Sequence, residues 1–242
     1  MLLYLHGFTG GAWEAEMLSR LWDREVDSIS LPGHDFLASP GDCSMPAACQ
    51  FVSEFVGSAN EGEVDLVGYS MGGRVALSLA VEKPKWLRKL VLISARPGWD
   101  TLEDRLVRTE KDERLAARIE ERGVLAFAEE WENSPIIASQ RSIAPAIRQR
   151  MQHTRRAHAA VGLAASLREM GSGAMPSLWH RLKDISVETI WITGQLDSTY
   201  GKLAREAAAR NPLFLHQEVP HAGHCTHLEK PVAFREILDR FL

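Results

Sequence analysis

The sequence predicts an α/β fold built on a mostly parallel sheet of about six strands. Along most of the 242 residues, short apolar runs alternate with longer segments of helical periodicity. This alternation is typical of a parallel sheet that is covered by helices on both faces. In addition, Gly68-Tyr69-Ser70-Met71-Gly72 joins an apolar run directly to an apolar-periodic segment. The sequence Gly-x-Ser-x-Gly in this setting predicts a strand that turns sharply into a helix.

The predicted elements follow one another in chain order. We predict strands at Leu2–Leu5, Val26–Ser30, Val64–Val67, Lys89–Ile93, Glu188–Thr193 and Leu213–Val219. Helical periodicity spans Ala12–Leu21, Met45–Val56, Gly72–Val81, Leu203–Arg210 and Pro231–Leu242. Pro231 suits the first turn of the last helix, because the amide hydrogen that proline lacks would have no acceptor there.

One long segment interrupts the alternation of strands and helices. Between Pro97 and about Pro176 no strand pattern occurs, and helical segments follow one another at Leu102–Ile119, Leu125–Trp131, Ile143–Thr154 and Ala157–Leu167. Open α/β sheets bind ligands at the carboxyl ends of their strands. We therefore interpret residues 97–175 as a helical lid over that edge, and residues 1–96 and 176–242 as the core of the protein.

The composition limits the classes of function. A hydrophobic content of 45% and a charged content of 25% are average for a globular domain. The net charge of −4 gives no indication of nucleic-acid binding, and no apolar run is long enough to predict a membrane span. The three cysteines show no metal-binding or disulfide spacing. We expect a cytoplasmic protein with no metal or cofactor, and the oligomeric state is left open.

Ser70 is the candidate reactive residue. A serine hydroxyl becomes a useful nucleophile or base when an imidazole accepts its proton and a carboxylate orients that imidazole. Asp197 and His224 each follow a predicted strand, so both are expected at the same sheet edge as Ser70. Asp197 has a second reading as the cap of the helix that follows it.

His224 is preferred among several histidines because Gly223 beside it allows a close approach to Ser70. His216 lies inside a strand, and His221 and His227 flank the loop, so we expect structural or solvated roles for them. His6 is also expected to be structural. The backbone amides of Phe8 and Met71 are the expected donors to a developing oxyanion.

Arginine is the informative residue type for recognition, because its planar guanidinium binds carboxylates with two hydrogen bonds. Arg74 lies one helical turn after Ser70, where burying a cation is costly unless an anion meets it. The alternative is a salt bridge to a nearby acid. Further arginines lie in the predicted lid, at Arg108, Arg150, Arg155 and Arg156. Several of them in one pocket would select a small, multiply anionic substrate.

The motifs resemble those of a known family. Leu5-His6-Gly7-Phe8-Thr9-Gly10, Leu31-Pro32-Gly33-His34, Gly68-Tyr69-Ser70-Met71-Gly72-Gly73-Arg74 and Ala222-Gly223-His224 look like the motifs of the MenH family. Its members are the 2-succinyl-6-hydroxy-2,4-cyclohexadiene-1-carboxylate synthases of menaquinone biosynthesis, and they have the α/β-hydrolase fold. The resemblance runs from the first strand to the last helix and is weaker through the lid.

The resemblance implies a role for each matching residue. It implies a triad of Ser70, Asp197 and His224, oxyanion donors at Phe8 and Met71, carboxylate-binding arginines at Arg74, Arg108 and Arg150, and pocket aromatics at Trp131 and Tyr69. The implied reaction is an elimination without a cofactor. The serine–histidine pair removes a proton from 2-succinyl-5-enolpyruvyl-6-hydroxy-3-cyclohexene-1-carboxylate, pyruvate is expelled, and a conjugated diene remains.

Three stretches depart from the family pattern. Arg96-Pro97-Gly98 stands where the family often has His-Pro-Gly, Ser198-Thr199-Tyr200 replaces a stretch that commonly includes a lysine and an aromatic residue, and Cys225 stands where asparagine is usual. Two other functions therefore stay open at this point. One is a small-molecule carboxylesterase or C–C hydrolase with Ser70 as a covalent nucleophile, and the other is a non-catalytic ligand receptor.

Overall fold

The computed structural model describes residues 1–34, 41–59 and 62–242. Within these ranges one sheet contains the strands β1 (Leu2–Leu5), β2 (Asp27–Ile29), β3 (Val64–Tyr69), β4 (Leu87–Ile93), β5 (Glu188–Gly194) and β6 (Phe214–Val219). The strands lie in the order β2-β1-β3-β4-β5-β6. All neighbouring pairs are parallel. The predicted α/β class and the six-stranded parallel sheet are confirmed.

The helices lie between and after these strands. They are α1 (Trp13–Trp22), α2 (Met45–Ala59), α3 (Met71–Ala80), α4 (Leu102–Glu132), α5 (Pro145–Ala157), α6 (Ala160–Met170), α7 (Ser198–Ala208), α8 (Thr226–Glu229) and α9 (Pro231–Phe241). The predicted start of α7 at Leu203 was wrong. The helix begins at Ser198 because the Asp197 carboxylate accepts a hydrogen bond from the Tyr200 amide and caps the first turn. Short 3₁₀ helices at Pro135–Ser142 and Trp179–Asp184, and α8, had no sequence signal.

The sheet is buried on both faces. In β1, Leu3 and Leu5 join an apolar cluster with side chains of α2, α3 and α7. Leu2 and Tyr4 join a second cluster with side chains of α1 and α9. Successive side chains of a strand point to opposite faces, so the short apolar run of β1 contributes side chains to both apolar clusters. This three-layer packing fixes the carboxyl ends of the strands as a common edge.

A helical block lies between β4 and β5 and consists of α4, the 3₁₀ helix Pro135–Ser142, α5 and α6. Within α4 the backbone is non-helical at Gly123, with φ at 78°. The two predicted helices Leu102–Ile119 and Leu125–Trp131 fall on either side of this break. The block has its own apolar core, against which Phe8 of the loop after β1 packs. The block therefore contacts the carboxyl edge of the sheet.

Throughout residues 1–34, 41–59 and 62–242, no helix combines the length and the hydropathy that crossing a bilayer requires.

Candidate active site

Ser70 occupies the sharp turn between β3 and α3. Its backbone has φ 50° and ψ −103°, a positive-φ conformation that is strained for a residue with a side chain. The turn depends on its glycine neighbours. A Cβ atom on Gly68 would lie 2.5 Å from the Gly72 carbonyl oxygen, and one on Gly72 would lie 2.2 Å from the Leu5 carbonyl oxygen. Strand and helix can therefore approach only without side chains at these positions.

Ser70, His224 and Asp197 form a hydrogen-bonded chain. His224 Nε2 lies 3.0 Å from Ser70 Oγ, and His224 Nδ1 lies 2.6 Å from Asp197 Oδ2. A carboxylate at Nδ1 holds the proton on that nitrogen and leaves Nε2 free to accept the serine proton. The second oxygen of Asp197 accepts the Tyr200 amide and caps α7. Asp197 therefore does both things that the sequence suggested: one oxygen binds His224 and the other caps the helix.

The two expected oxyanion donors lie beside this chain. The Phe8 amide has no backbone or side-chain acceptor within the described residues, and Met71 is the first residue of α3, where an amide has no intrahelical acceptor. Both residues line the same cavity as Ser70. The Gly72 amide donates to the His6 carbonyl oxygen at 3.0 Å and so holds the loop after β1 against the start of α3.

The other histidines of these loops have partners elsewhere. His6 accepts the Leu31 amide at Nε2, so its Nδ1 carries the proton and donates to the Gly7 carbonyl oxygen. His216 pairs with the Thr193 hydroxyl, and His227 lies between Tyr4 and Glu14. The His221 backbone amide binds Gln195. His224 is thus the histidine that the fold brings to Ser70.

A cavity of about 900 Å³ opens in front of Ser70, within the size range of sites for small molecules. Among the residues named from the sequence, its lining includes Phe8, Tyr69, Ser70, Met71, Arg74, Arg108, Trp131 and His224. It also includes Arg155, one of the lid arginines offered by the sequence, and Glu14, Gln140 and Tyr200, for which no substrate contact was predicted. In the part of the chain that the structure describes, no group of three or more His, Cys, Asp or Glu side chains is arranged to hold a metal ion.

Arg74 is a buried cation that faces the cavity. One terminal nitrogen donates to the Met170 carbonyl oxygen at 2.9 Å, while Nε has no partner. The expected alternative, a salt bridge to a nearby acid, is not formed with any described residue. Burial lowers the pKa of Arg74 to about 10, so the guanidinium stays protonated at neutral pH. An unneutralised buried cation of this kind has capacity to bind an anion.

Four arginines of the helical block also line the cavity, namely Arg108, Arg114 and Arg118 of α4 and Arg155 of α5. Arg108 lies in α4 and forms an ion pair with Asp112 at 2.7 Å. Arg155 lies in α5, is 4% exposed, and has its Nη1 atom 3.5 Å from Glu132. Burial lowers the pKa of Arg155 below its usual value. Each of these cations is already partly neutralised, in contrast to Arg74.

The structure does not place Arg150 in the cavity, where the sequence led us to expect it. Its guanidinium pairs with Glu16 at 2.6 Å and lies over the Trp13 ring, and the residue does not line the cavity. Arg155, five residues further along α5, occupies the cavity instead. Five residues rotate a helix by about 140° beyond a full turn, so the two arginines lie on different faces of α5.

Aromatic rings surround the histidine. The Tyr200 ring meets the His224 ring nearly edge-on with 4.6 Å between centroids, and the Tyr69 ring lies 5.6 Å away on a tilt. Trp131 meets Phe8 edge-on at 5.6 Å and forms part of the cavity wall. The positions of Tyr69 and Trp131 agree with a pocket role, and Tyr200 adds a third aromatic group.

The three departures from the family pattern occupy different places. Arg96 does not line the cavity, and its guanidinium stacks over the Trp99 ring at 3.4 Å. Tyr200 contacts His224 directly, as described above. Cys225 is buried beside the histidine, where burial raises the pKa of its thiol. The departures therefore leave the Ser70–His224–Asp197 chain intact.

Glu14 and Glu229 are two of the buried carboxylates near the site that were not predicted from the sequence. Glu14 of α1 accepts hydrogen bonds from the Tyr4 hydroxyl at 2.5 Å and from His227 at 3.2 Å. Burial alone would raise the pKa of Glu14, but these hydrogen bonds lower it below its usual value. A signal existed, because Glu14 shares the buried stripe of α1 with Ala15 and Leu18, and acids are rarely buried without partners. Glu229 is the other of these two carboxylates.

Comparison with known proteins places the chain among relatives of the same architecture. The model of the Alpha/beta hydrolase family matches residues 2–237. A protein of Bacillus subtilis (strain 168) with the provisional name 2-succinyl-6-hydroxy-2,4-cyclohexadiene-1-carboxylate synthase is 36% identical, over 98% of this chain and 88% of that protein. The solved structure of MenH from S. aureus has a TM-score of 0.94 at 29% identity, covering 100% of this chain and 92% of that chain.

The chain belongs to the MenH family of alpha/beta hydrolases. This membership confirms the resemblance recognised in the sequence motifs and the α/β-hydrolase fold. A thermophilic esterase from Thermogutta terrifontis, solved with malate bound, has a TM-score of 0.84 at 23% identity, over 99% of this chain and 88% of that chain. At that identity the likeness shows a shared fold alone. The cavity in front of Ser70 is the candidate active site of this MenH-family protein.

Proposed function

We propose that this protein is a lyase of menaquinone biosynthesis. It eliminates pyruvate from 2-succinyl-5-enolpyruvyl-6-hydroxy-3-cyclohexene-1-carboxylate and forms 2-succinyl-6-hydroxy-2,4-cyclohexadiene-1-carboxylate. The observation that supports this most directly is the presence, in one cavity, of the hydrogen-bonded Ser70–His224 pair and the unneutralised Arg74 cation. Membership of the MenH family supports the same conclusion.

In the proposed mechanism Ser70 and His224 act together as the base. Ser70 Oγ removes a proton from a ring carbon of the substrate while its own proton passes to His224 Nε2. The electron pair of the broken C–H bond forms a new ring double bond, the pair of the existing ring double bond shifts one bond along the ring, and the C–O bond to the enolpyruvyl group breaks. Enolpyruvate leaves and becomes pyruvate. Asp197 stabilises the imidazolium that forms.

The amides of Phe8 and Met71 have a separate role in this proposal. Proton removal next to the succinyl ketone develops negative charge on the ketone oxygen. Two amides without competing acceptors can stabilise that charge, and removal of such a donor in other enzymes costs about 3–4 kcal/mol of transition-state stabilisation. The charge develops only as the proton leaves, so these hydrogen bonds strengthen in the transition state.

The arginines supply recognition of the carboxylates. In the proposal Arg74, Arg108 and Arg155 hold the anionic groups, while Trp131 and the aromatic rings near His224 contact the ring of the substrate. The helical block serves as the lid of the cavity, with the boundaries 97–175 expected from the sequence. Exclusion of water under such a lid strengthens ion pairing with the substrate. We place this chemistry in the cytoplasm.

Incubation with the enolpyruvyl substrate tests the function. The wild-type protein is expected to release pyruvate and to generate the diene absorbance in parallel, whereas Ser70→Ala is expected to do neither at a comparable rate. The variant is a matched control because it removes one oxygen atom. A wild-type protein that binds the substrate and releases no pyruvate would contradict the proposal.

A small-molecule carboxylesterase is the second candidate, because the 3.0 Å contact between Ser70 and His224 also suits nucleophilic attack. An ester hydrolase passes through an acyl-enzyme and shows a burst of the first product. A burst with a carboxylate-bearing ester, together with inactivity towards the enolpyruvyl substrate, would favour this candidate. The elimination proceeds without an acyl-enzyme and shows no such burst.

A further inference from the structure

We propose that Glu229 is a positioning residue that fixes the main chain on both sides of His224, and that Ser139 ties it to the helical block. The inference rests on the proposed role of His224 as part of the base. Glu229 does not contact Ser70 or the cavity itself, so it acts through the histidine.

The first observation is a pair of hydrogen bonds from the histidine loop. One oxygen of the Glu229 carboxylate accepts the Gly223 amide at 2.7 Å, and the other accepts the Cys225 amide at 3.0 Å. These two residues immediately precede and follow His224. Hydrogen bonds to a carboxylate are stronger than those between neutral groups, so the peptide units around His224 are held at two points.

The second observation concerns the environment of the carboxylate. Glu229 is 5% exposed, and no arginine, lysine or histidine of the described residues forms an ion pair with it. Its hydrogen-bond donors are the two amides and the Ser139 hydroxyl. An amide side chain cannot replace it, because in either orientation the NH₂ group of glutamine would face one of the two N–H groups. A carboxylate of this length is therefore specifically suited to hold both amides.

The third observation links the loop to the cavity wall. Ser139 lies in the 3₁₀ helix Pro135–Ser142, and its hydroxyl donates to Glu229 at 2.9 Å. A Cβ atom on Gly223 would lie 2.0 Å from Ser139 Oγ, so the contact requires glycine. Other residues of this 3₁₀ helix, including Ile137 and Gln140, line the cavity. The Glu229 carboxylate thus binds both the 3₁₀ helix that forms part of the cavity wall and the loop that carries His224.

Kinetics and labelling of Glu229→Gln test the positioning role, with Glu236→Gln as the matched control. Glu236 is exposed on the neighbouring α9, and the change removes the same charge. For Glu229→Gln we expect kcat for elimination to fall by about 10- to 100-fold with KM nearly unchanged, because misalignment of a catalytic group by about 1 Å has effects of this size. Labelling of Ser70 by a fluorophosphonate should slow by a similar factor, and Glu236→Gln should behave as wild type.

The labelling result separates this proposal from the proposed function, because it needs no natural substrate. If wild type is not labelled at Ser70, the role of His224 fails. If wild type is labelled and folded Glu229→Gln is labelled equally fast, the positioning role is overturned. Should glutamine prevent folding, Glu229→Asp keeps the charge but is too short to reach both amides, and an unchanged kcat and labelling rate would overturn the proposal.

Ser139→Ala tests the link to the helical block on its own. It leaves both amide hydrogen bonds to Glu229 in place, so we expect a decrease in kcat of only about 2- to 5-fold, which is about 0.4–1 kcal/mol of transition-state free energy. Wild-type kcat in a folded Ser139→Ala protein would overturn this part of the proposal.

Discussion

Arg74 lies one turn of α3 beyond Ser70, and its amide donates a hydrogen bond to the Ser70 carbonyl oxygen at 3.1 Å. The first turn of a single helix therefore carries both the reactive hydroxyl and the buried cation. The side chain of Arg74 is held in turn by the Met170 carbonyl oxygen of α6. In the proposed mechanism, recognition of an anion and removal of a proton are therefore coupled, because any shift of the helix start moves both groups.

Replacement of Arg74 tests the recognition role. Truncating one partner of a buried, charged hydrogen-bonded pair costs about 2 kcal/mol or more, which is roughly 30-fold. We expect Arg74→Gln to lower kcat/KM for the enolpyruvyl substrate by at least that factor and to spare a neutral ester. Arg150→Gln is the matched control, since Arg150 lies outside the cavity in an exposed ion pair. Equal losses for the anionic and the neutral substrate would contradict the assigned role.

Adjacent arginines of α5 allow a second matched comparison. Arg155 is buried in the cavity wall, whereas Arg156 is a half-buried partner of Glu132 and does not line the cavity. Arg155→Gln should lower kcat/KM by about 10-fold, within the range for one hydrogen bond to a charged group. The loss should be smaller than for Arg74 because Glu132 already neutralises part of the charge. Steady-state kinetics in which Arg156→Gln is the more damaging change would refute this order.

The turn at Ser70 makes a prediction about stability. Gly72→Ala would put a Cβ atom 2.2 Å from the Leu5 carbonyl oxygen, and no side-chain rotation relieves a contact with the backbone. We expect a loss of more than about 3 kcal/mol in the free energy of unfolding. Gly57→Ala is the control, because nothing lies within 4 Å of its Cβ position in α2. It should stabilise the protein by about 0.5–1 kcal/mol, and urea denaturation that shows equal effects would contradict the account.

The free energy of unfolding of the protein should depend on pH because of His34. Burial, reinforced by the neighbouring His6 and His158 rings, holds the pKa of His34 well below 6.5. The unfolded chain therefore binds a proton below about pH 6.5 that the folded protein does not, and stability falls as the pH decreases. Above that pH both states are neutral and the effect vanishes. The pKa of His6 is lowered in the same sense.

Urea unfolding at pH 7.5 and 5.5 measures this effect. The free energy of unfolding should decrease by about 1 kcal/mol per fully buried neutral histidine over this interval. His34→Gln should reduce the decrease, whereas the exposed control His153→Gln should leave it unchanged. If the two variants lose stability equally on acidification, the burial of His34 does not have the proposed consequence.

Much of the fold, and the hydrogen-bonded chain of Ser70, His224 and Asp197, could be predicted from the sequence because these features have local causes. β1 is an apolar run with exposed surface on neither face, and its bounds were predicted residue for residue. The strained turn at Ser70 requires its glycines, so the pentapeptide is visible in the sequence. His224 could be preferred over His216 because His216 lies inside a strand, and over His221 because His224 stands beside Gly223.

Other features depend on contacts that no local pattern encodes. The choice between Arg150 and Arg155 required the rotation of α5 about its own axis, which is set by packing against the loop after β1. The link between Glu229 and the helical block depends on the approach of the 3₁₀ helix Pro135–Ser142 to Gly223, and that short helix has too few residues for a periodicity. Long-range pairings of this kind become visible only in three dimensions.

Rapid-quench analysis of one turnover, with pyruvate, diene and intact protein mass followed together, distinguishes base catalysis by Ser70 from covalent catalysis. Base catalysis should give pyruvate and diene in equal amounts, at equal rates, with no mass added to Ser70 at any time. A covalent adduct on Ser70, with consumption of the substrate and without the diene, would contradict it.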